Sequence, residues 1–139
     1  MNDTADVVVI GGGIVGCATA YNLARLGAGK VVLLERGYLA SGATGRCGAG
    51  MRMQWGTETN CLLSRESTRM LEQLPQLLDV DVDIELKQGG YLLLAYTEKM
   101  AAQFKKNLLL QNSLGIPSRW VTPTEAKEIV PHLNTAGLL

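Results

Sequence analysis

Residues 7–24 read VVVIGGGIVGCATAYNLA, a β-branched run followed by Gly11, Gly12, Gly13 and Gly16 and then by small and apolar residues. A short apolar run that ends on glycine suits a strand buried on both faces of a parallel sheet. Residues 14–26 follow as a helix, with Cys17, Ala20, Tyr21 and Ala24 keeping one face small or apolar. The Gly-Ala-Gly at 27–29 stops it. KVVLLE at 30–35 is a second buried strand, so the opening quarter of the chain is a βαβ unit with a right-handed crossover.

The glycines of that unit have physical roles. Gly11 allows the tight turn out of the first strand, Gly13 lets a pyrophosphate approach the backbone, and Gly16 permits close helix–strand packing. The first helical turn, Ile14, Val15 and Gly16, then faces the phosphates. Glu35 ends the second strand about 20 residues past the motif, where an acidic side chain takes both hydroxyls of an adenosine ribose. A glycine-rich turn without a ligand is the plainer reading. Strand, motif, helix, strand and terminal acid in register count against it.

After Glu35 and Arg36 comes GYLASGATGRCGAGMRMQWG (37–56), whose six glycines replace the second crossover of a nicotinamide-binding domain. Small residues let backbone amides approach a ligand closely, and Ser41 and Thr44 add hydroxyls suited to phosphate or ribityl oxygens. Arg46 either meets a cofactor phosphate or is solvated. Cys47 is a small filler or an attachment point, and Trp55 walls a pocket or joins the core.

Downstream, residues 57–74 read as an amphipathic helix with Leu63, Ser67, Met70, Leu71 and Leu74 on one side, ending near Pro75. Residues 82–96 switch to period two, with Val82, Ile84 and Leu86 alternating with charged residues and Gly89-Gly90 turning the chain, as in an antiparallel hairpin. A helix over 97–114 carries Met100, Phe104 and Leu108 on one face and stops at Gly115. Thr122, Pro123 and Glu125 combine an N-cap, a first-turn proline and a capping-box acid at the start of a last helix.

Composition narrows the function classes. The chain has 139 residues, 47% of them hydrophobic, with thirteen basic and thirteen acidic side chains. Zero net charge leaves no electrostatic footprint for nucleic acid or an anionic membrane surface, so a small molecule is the expected partner. Cys17, Cys47 and Cys61 lack CxxC spacing and partnering histidines; neither a metal site nor a disulfide framework is expected. His132, beside Pro131, reads as a loop residue. The start MNDTAD lacks a leader's cationic region and no stretch reads as a membrane span, so the expected location is cytoplasmic.

The segments VVVIGGGIVGCATAYNLARLG, VVLLERG, ASGATGRCGAGMRMQWG, GGYLLLAY and VTPTEAKEIVP, in that order, resemble the N-terminal part of the D-amino-acid oxidase superfamily of FAD-dependent oxidoreductases. Within it they resemble glycine and sarcosine oxidases and the β subunits of dye-linked proline or hydroxyproline dehydrogenases. The resemblance implies an α/β fold: a Rossmann-like FAD-binding βαβ unit, then the start of an antiparallel substrate-domain sheet with flanking helices, the whole incomplete. Residues 1–78 would be the FAD-binding segment and 79–139 the start of the substrate domain, completed by the remainder of the same enzyme or a complementary subunit.

The implied reaction oxidises the C–N bond of a small amino acid or N-alkyl amino acid to an imine, with hydride passing to flavin N5. Gly11, Gly13, Ile14, Val15, Gly16, Glu35, Arg36, Ser41, Thr44, Arg46, Gly48, Gly50 and Met51 would hold FAD. Arg52, flanked by methionines, would anchor the substrate carboxylate through its fork of donors; the alternative is a structural arginine paired with Glu58 or Glu66. Two other classes stay open, an NAD-dependent dehydrogenase and a non-catalytic FAD-binding electron-transfer subunit.

Overall fold

The computed structural model describes residues 4–139, so the first three residues of the acidic start read above lie outside it. The chain divides into two compact units, one reaching to Gly50 and the other running from Met51 to Leu139.

In the first unit, β1 (Val7–Ile10) pairs in parallel with β2 (Val31–Leu34), Val7 opposite Val31 and Ile10 opposite Leu34. The helix α1 (Ile14–Arg25) connects them and completes the βαβ unit. Its stop is the expected one: Gly27 takes φ +76°, and the amides of Gly27 and Ala28 bond back to the carbonyls of Ala24 and Leu23. At the far end of the sheet, the Asp6 carboxylate accepts from the Lys30 amide at 2.7 Å.

The strands are not buried on both faces. Val8, Leu34 and above all Ile10, at 86%, remain exposed, and burial along β1 alternates. α1 packs against β1 and β2. A single helix layer leaves alternate side chains uncovered, which hydrophobicity alone does not reveal.

The glycine-rich loop contains one short helix, α2 (Ala43–Arg46). In the second unit, α3 (Glu58–Glu72) gives way to α4 (Leu74–Leu78), with Pro75 in the first turn of α4. Proline thus ends one helix and starts another. The buried face of α3 differs from the expected one: Cys61 is fully buried, whereas Leu63 is 63% exposed and Met70 half exposed. Its polar partners decide this, because the Arg65 guanidinium donates to the Leu114 carbonyl at 2.6 Å at the end of α5 (Glu98–Ser113). A cation on the terminal carbonyl of a helix satisfies an orphan acceptor and the negative end of the dipole together. That contact turns the Arg65 side of α3 inward.

No strand forms over residues 80–96, so the expected hairpin is not built. Glu85 takes φ +54° while its amide bonds to the Asp83 carboxylate, a local turn that interrupts the extended run. Val82, Ile84, Leu86, Tyr91 and Leu93 all stay more than a third exposed. A two-stranded ribbon whose apolar face meets no second layer is marginal. The last helix, α6 (Pro123–Ile129), carries the expected capping box: Glu125 N–H donates to Thr122 Oγ1 at 3.2 Å, and Thr122 N–H to Glu125 Oε2 at 2.7 Å.

Gly16 shows which glycine the packing demands. A Cβ there would lie 1.9 Å from the Gly11 carbonyl oxygen, a backbone atom that cannot move aside. Helix propensity favours alanine over glycine by about 1 kcal/mol, but the clash outweighs it. Gly16→Ala is expected to cost about 2 kcal/mol or more, measured by thermal or denaturant unfolding. Gly89→Ala, with open space and no positive φ, is expected to stay within about 0.5 kcal/mol of the parent.

Candidate functional site

The turn after β1 is built around Gly12. Gly11 leaves the strand at φ +105°, a conformation open to glycine, and its amide still bonds to the Leu34 carbonyl at 2.8 Å. That reversal aims the Gly12 amide at Glu35 Oε2, 2.8 Å away; the Gly37 amide donates to Oε1 at the same distance. The Gly12 amide, followed by that of Gly37, holds the Glu35 carboxyl below the ordinary glutamate range, against the opposing effect of partial burial. Glu35 is therefore an anion at neutral pH. The Arg36 amide and guanidinium add to the same effect, and a carboxylate with about four acceptor positions still has room for a hydroxyl.

Sequence reasoning passed over Gly12 in favour of its neighbours. Gly12 is buried, and a Cβ on it would meet Leu39 Cδ2 at 2.6 Å and Glu35 Cβ at 3.0 Å. Three glycines in succession were the available signal, with the middle one carrying the latch.

The loop after β2 is tied to the same turn twice. The Ala40 amide donates to the Gly12 carbonyl at 2.9 Å, with Ala40 itself at φ +64°. Thr44 Oγ1 accepts from the Ile14 amide at 3.0 Å, so this hydroxyl serves the first turn of α1 and keeps its own proton to donate. Within the loop, Arg46 Nη2 reaches the Ser41 carbonyl at 3.3 Å, and the Cys47 thiol the Thr44 carbonyl at 3.1 Å. Arg36, Arg46, Gly48 and Gly50 are exposed, as are Ile14 and Val15 at the start of α1; Ser41 is half-buried.

These residues fit a flavin dinucleotide. A Cβ at Gly13 would stand 3.1 Å from Thr44 Oγ1, so a side chain there would crowd the turn where the loop meets it. The N-cap of α1, Gly13, brings no side chain of its own and the first turn holds no acidic residue, so apart from the Thr44 hydroxyl on the Ile14 amide the positive end of the helix is open to an anionic group. Among the described residues no cluster suited to a metal ion occurs, and no helix is long and apolar enough to cross a membrane.

In the second unit Met51 and Arg52 are half-buried. The Arg52 guanidinium lies 4.2 Å over the Trp55 ring, and its Nε is buried with no hydrogen-bond partner. Glu66, considered as a partner for Arg52, is held instead by Arg65 at 2.8 Å and Arg69 at 3.0 Å. His132 lies in an exposed turn.

Comparison with known proteins agrees with the glycine turn. Residues 6–139 match the DAO family, FAD dependent oxidoreductases. The chain is 32% identical to the sarcosine oxidase β subunit of Rhodobacter capsulatus, over 95% of this chain and 32% of that one. It is 31% identical to the mitochondrial pyruvate dehydrogenase phosphatase regulatory subunit of Mus musculus, over 97% of this chain and 15% of the relative. The crystal structure of L-proline dehydrogenase from P. horikoshii superposes with a TM-score of 0.89 at 37% identity, covering all of this chain and 36% of that one. The chain thus spans about a third or less of the length of these relatives. FAD, not a nicotinamide, is the family's cofactor. With its glycine turn latched to an acid at the end of the next strand and the match running from Asp6 to Leu139, the chain belongs to the FAD dependent oxidoreductase family.

Proposed function

We propose that the protein oxidises the C–N bond of a small amino acid or N-alkyl amino acid, of the sarcosine, glycine or proline kind, to an imine. The observation that carries the cofactor half is the Glu35 carboxylate, fixed by the Gly12 and Gly37 amides with acceptor positions to spare. The family and the relatives named for sarcosine and L-proline support the substrate class. In this reading residues 1–78 belong to the FAD-binding domain, and residues 79–139 begin the substrate domain.

Each residue has one task. Glu35 takes the ribose hydroxyls. Gly11, Gly13 and Gly16 with the first turn of α1, Ile14 and Val15, take the pyrophosphate. Ser41, Thr44, Arg46, Gly48, Gly50 and Met51 line the remainder of the cofactor, with Arg36 adding positive charge beside Glu35. When bound, FAD supplies the hydride acceptor. Arg52 takes the substrate carboxylate with its fork of donors, its face being occupied by the Trp55 ring. An arginine orienting the carboxylate holds the α-carbon in one place. The relative named as a regulatory subunit keeps a second reading in view, an FAD-binding subunit without turnover.

Gly13→Leu places a side chain against Thr44 Oγ1 and is expected to abolish FAD retention on purification, read from flavin content per chain. Glu35→Gln is expected to raise the FAD dissociation constant about tenfold or more. Its pH signature follows from the lowered carboxyl: the depressed Glu35 contributes stability above its ordinary value of 4.5 and loses it as the pH falls through its lower, folded value. The difference in stability between parent and Glu35→Gln, followed by thermal unfolding, should therefore shrink on acidification and be flat towards neutrality.

Arg52 separates substrate from cofactor. Arg52→Lys keeps the charge and loses the fork, and Arg52→Met loses both. The amino-acid concentration that half-saturates flavin reduction should rise about tenfold and then about a hundredfold, with FAD content unchanged. An unaltered concentration dependence in Arg52→Met would remove Arg52 from the substrate site.

A further inference from the structure

The most heavily used polar group around Arg52 is the backbone carbonyl of Trp55. It accepts from Gln111 Nε2 at 2.9 Å and from the Cys61 thiol at 3.4 Å. Cys61 is wholly buried and Gln111 is 4% exposed, the one polar side chain buried to that degree among the described residues. The indole is fixed as well: Trp55 Nε1 donates to the Arg52 carbonyl at 2.9 Å and to Ser64 Oγ at 2.8 Å. Residue 55 is thereby clamped from α3 and from α5, and the Arg52 guanidinium rests on the clamped ring.

A glutamine buried in a helix face costs desolvation that a leucine would avoid, so its position asks for a use. A guanidinium stacked on an aromatic face has its plane set by the ring, and its donors then point along the edge of that plane. The ring in turn takes its place from the Trp55 carbonyl and from Nε1. We propose that Gln111 is a positioning residue for the substrate carboxylate, holding Trp55 and through it the plane of the Arg52 donors. The proposal rests on the reading that Arg52 takes that carboxylate. A prearranged fork lowers the cost of ordering on binding. Its carboxylate contacts are the same in ground and transition state, so the effect appears in KM and not in the limiting rate.

The test compares parent, Gln111→Leu, Arg52→Met and the double variant as FAD-loaded protein expressed in full. Sarcosine, glycine and L-proline are the probes, and anaerobic flavin reduction is the readout. Gln111→Leu should raise the half-saturating concentration about 5- to 20-fold and leave the limiting rate within about twofold. The double variant should be no worse than Arg52→Met alone, because both changes act on one contact. Ser64→Ala, a milder change that removes one acceptor of the indole N–H, should raise it about two- to threefold. It decides the matter if Gln111→Leu fails to fold.

If Gln111→Leu lowers thermal stability but leaves the half-saturating concentration at the parent value while Arg52→Met raises it, Gln111 only packs the helices. The proposal then falls and the Arg52 reading stands. If no probe gives a saturable response, or Arg52→Met leaves that response unmoved, the Arg52 reading falls and takes the proposal with it.

Discussion

The hydrogen bond from the Gly12 amide to Glu35 is the constraint on which the first unit depends. It joins the turn that leaves β1 to the residue that follows β2, across two strands already in parallel register. The turn can present that amide because Gly11 occupies a φ that a side chain would disfavour, and because Gly12 has no Cβ to push Glu35 away. The carbonyl of the same residue receives the Ala40 amide, which brings the glycine-rich loop back over the turn. Thr44 then reaches the first amide of α1. One residue without a side chain thus organises strand end, helix start and loop, and the acid it holds remains charged with acceptor positions free.

The second unit is organised around a carbonyl. Trp55 O gathers buried donors from α3 and α5, and the indole above it carries a guanidinium. Cation and aromatic face attract by about 0.5–2 kcal/mol depending on solvation, too little to hold a long side chain against its rotamer entropy unless the ring is itself immobile. The hydrogen bonds around residue 55 supply that immobility. Arg52 is thus held by an aromatic face, and the carboxylate of Glu66 is left to Arg65 and Arg69.

The βαβ unit and the last helix were legible because their signals are local. A β-branched run, spaced glycines, a helix stop and a capping box each act within a few residues, and α1, its Gly27 stop and the α6 capping box stand where the pattern places them. What the sequence concealed depends on partners distant in the chain. The inward side of α3 follows from Arg65 meeting a carbonyl 49 positions away, so Leu63 and Met70 turn outward despite their hydrophobicity. The alternation of residues 82–86 is genuine, yet a strand needs a second strand and a layer beneath it. The turn at Glu85 wins where neither is present. At the site, Glu35 and the glycines could be named from spacing, whereas the priority of Gly12, the capping use of Thr44 and the bond between Gln111 and Trp55 required the fold.

The central claim, that bound FAD receives hydride from a small amino acid recognised by its carboxylate, is tested most directly by anaerobic mixing. FAD-loaded protein is exposed to sarcosine and L-proline and, in parallel, to dimethylamine and pyrrolidine, the same amines without the carboxylate. The account predicts that the visible flavin absorbance bleaches with at least one of the amino acids and persists with its decarboxylated counterpart. An absorbance that neither amino acid alters, or that the bare amines bleach equally well, would contradict it.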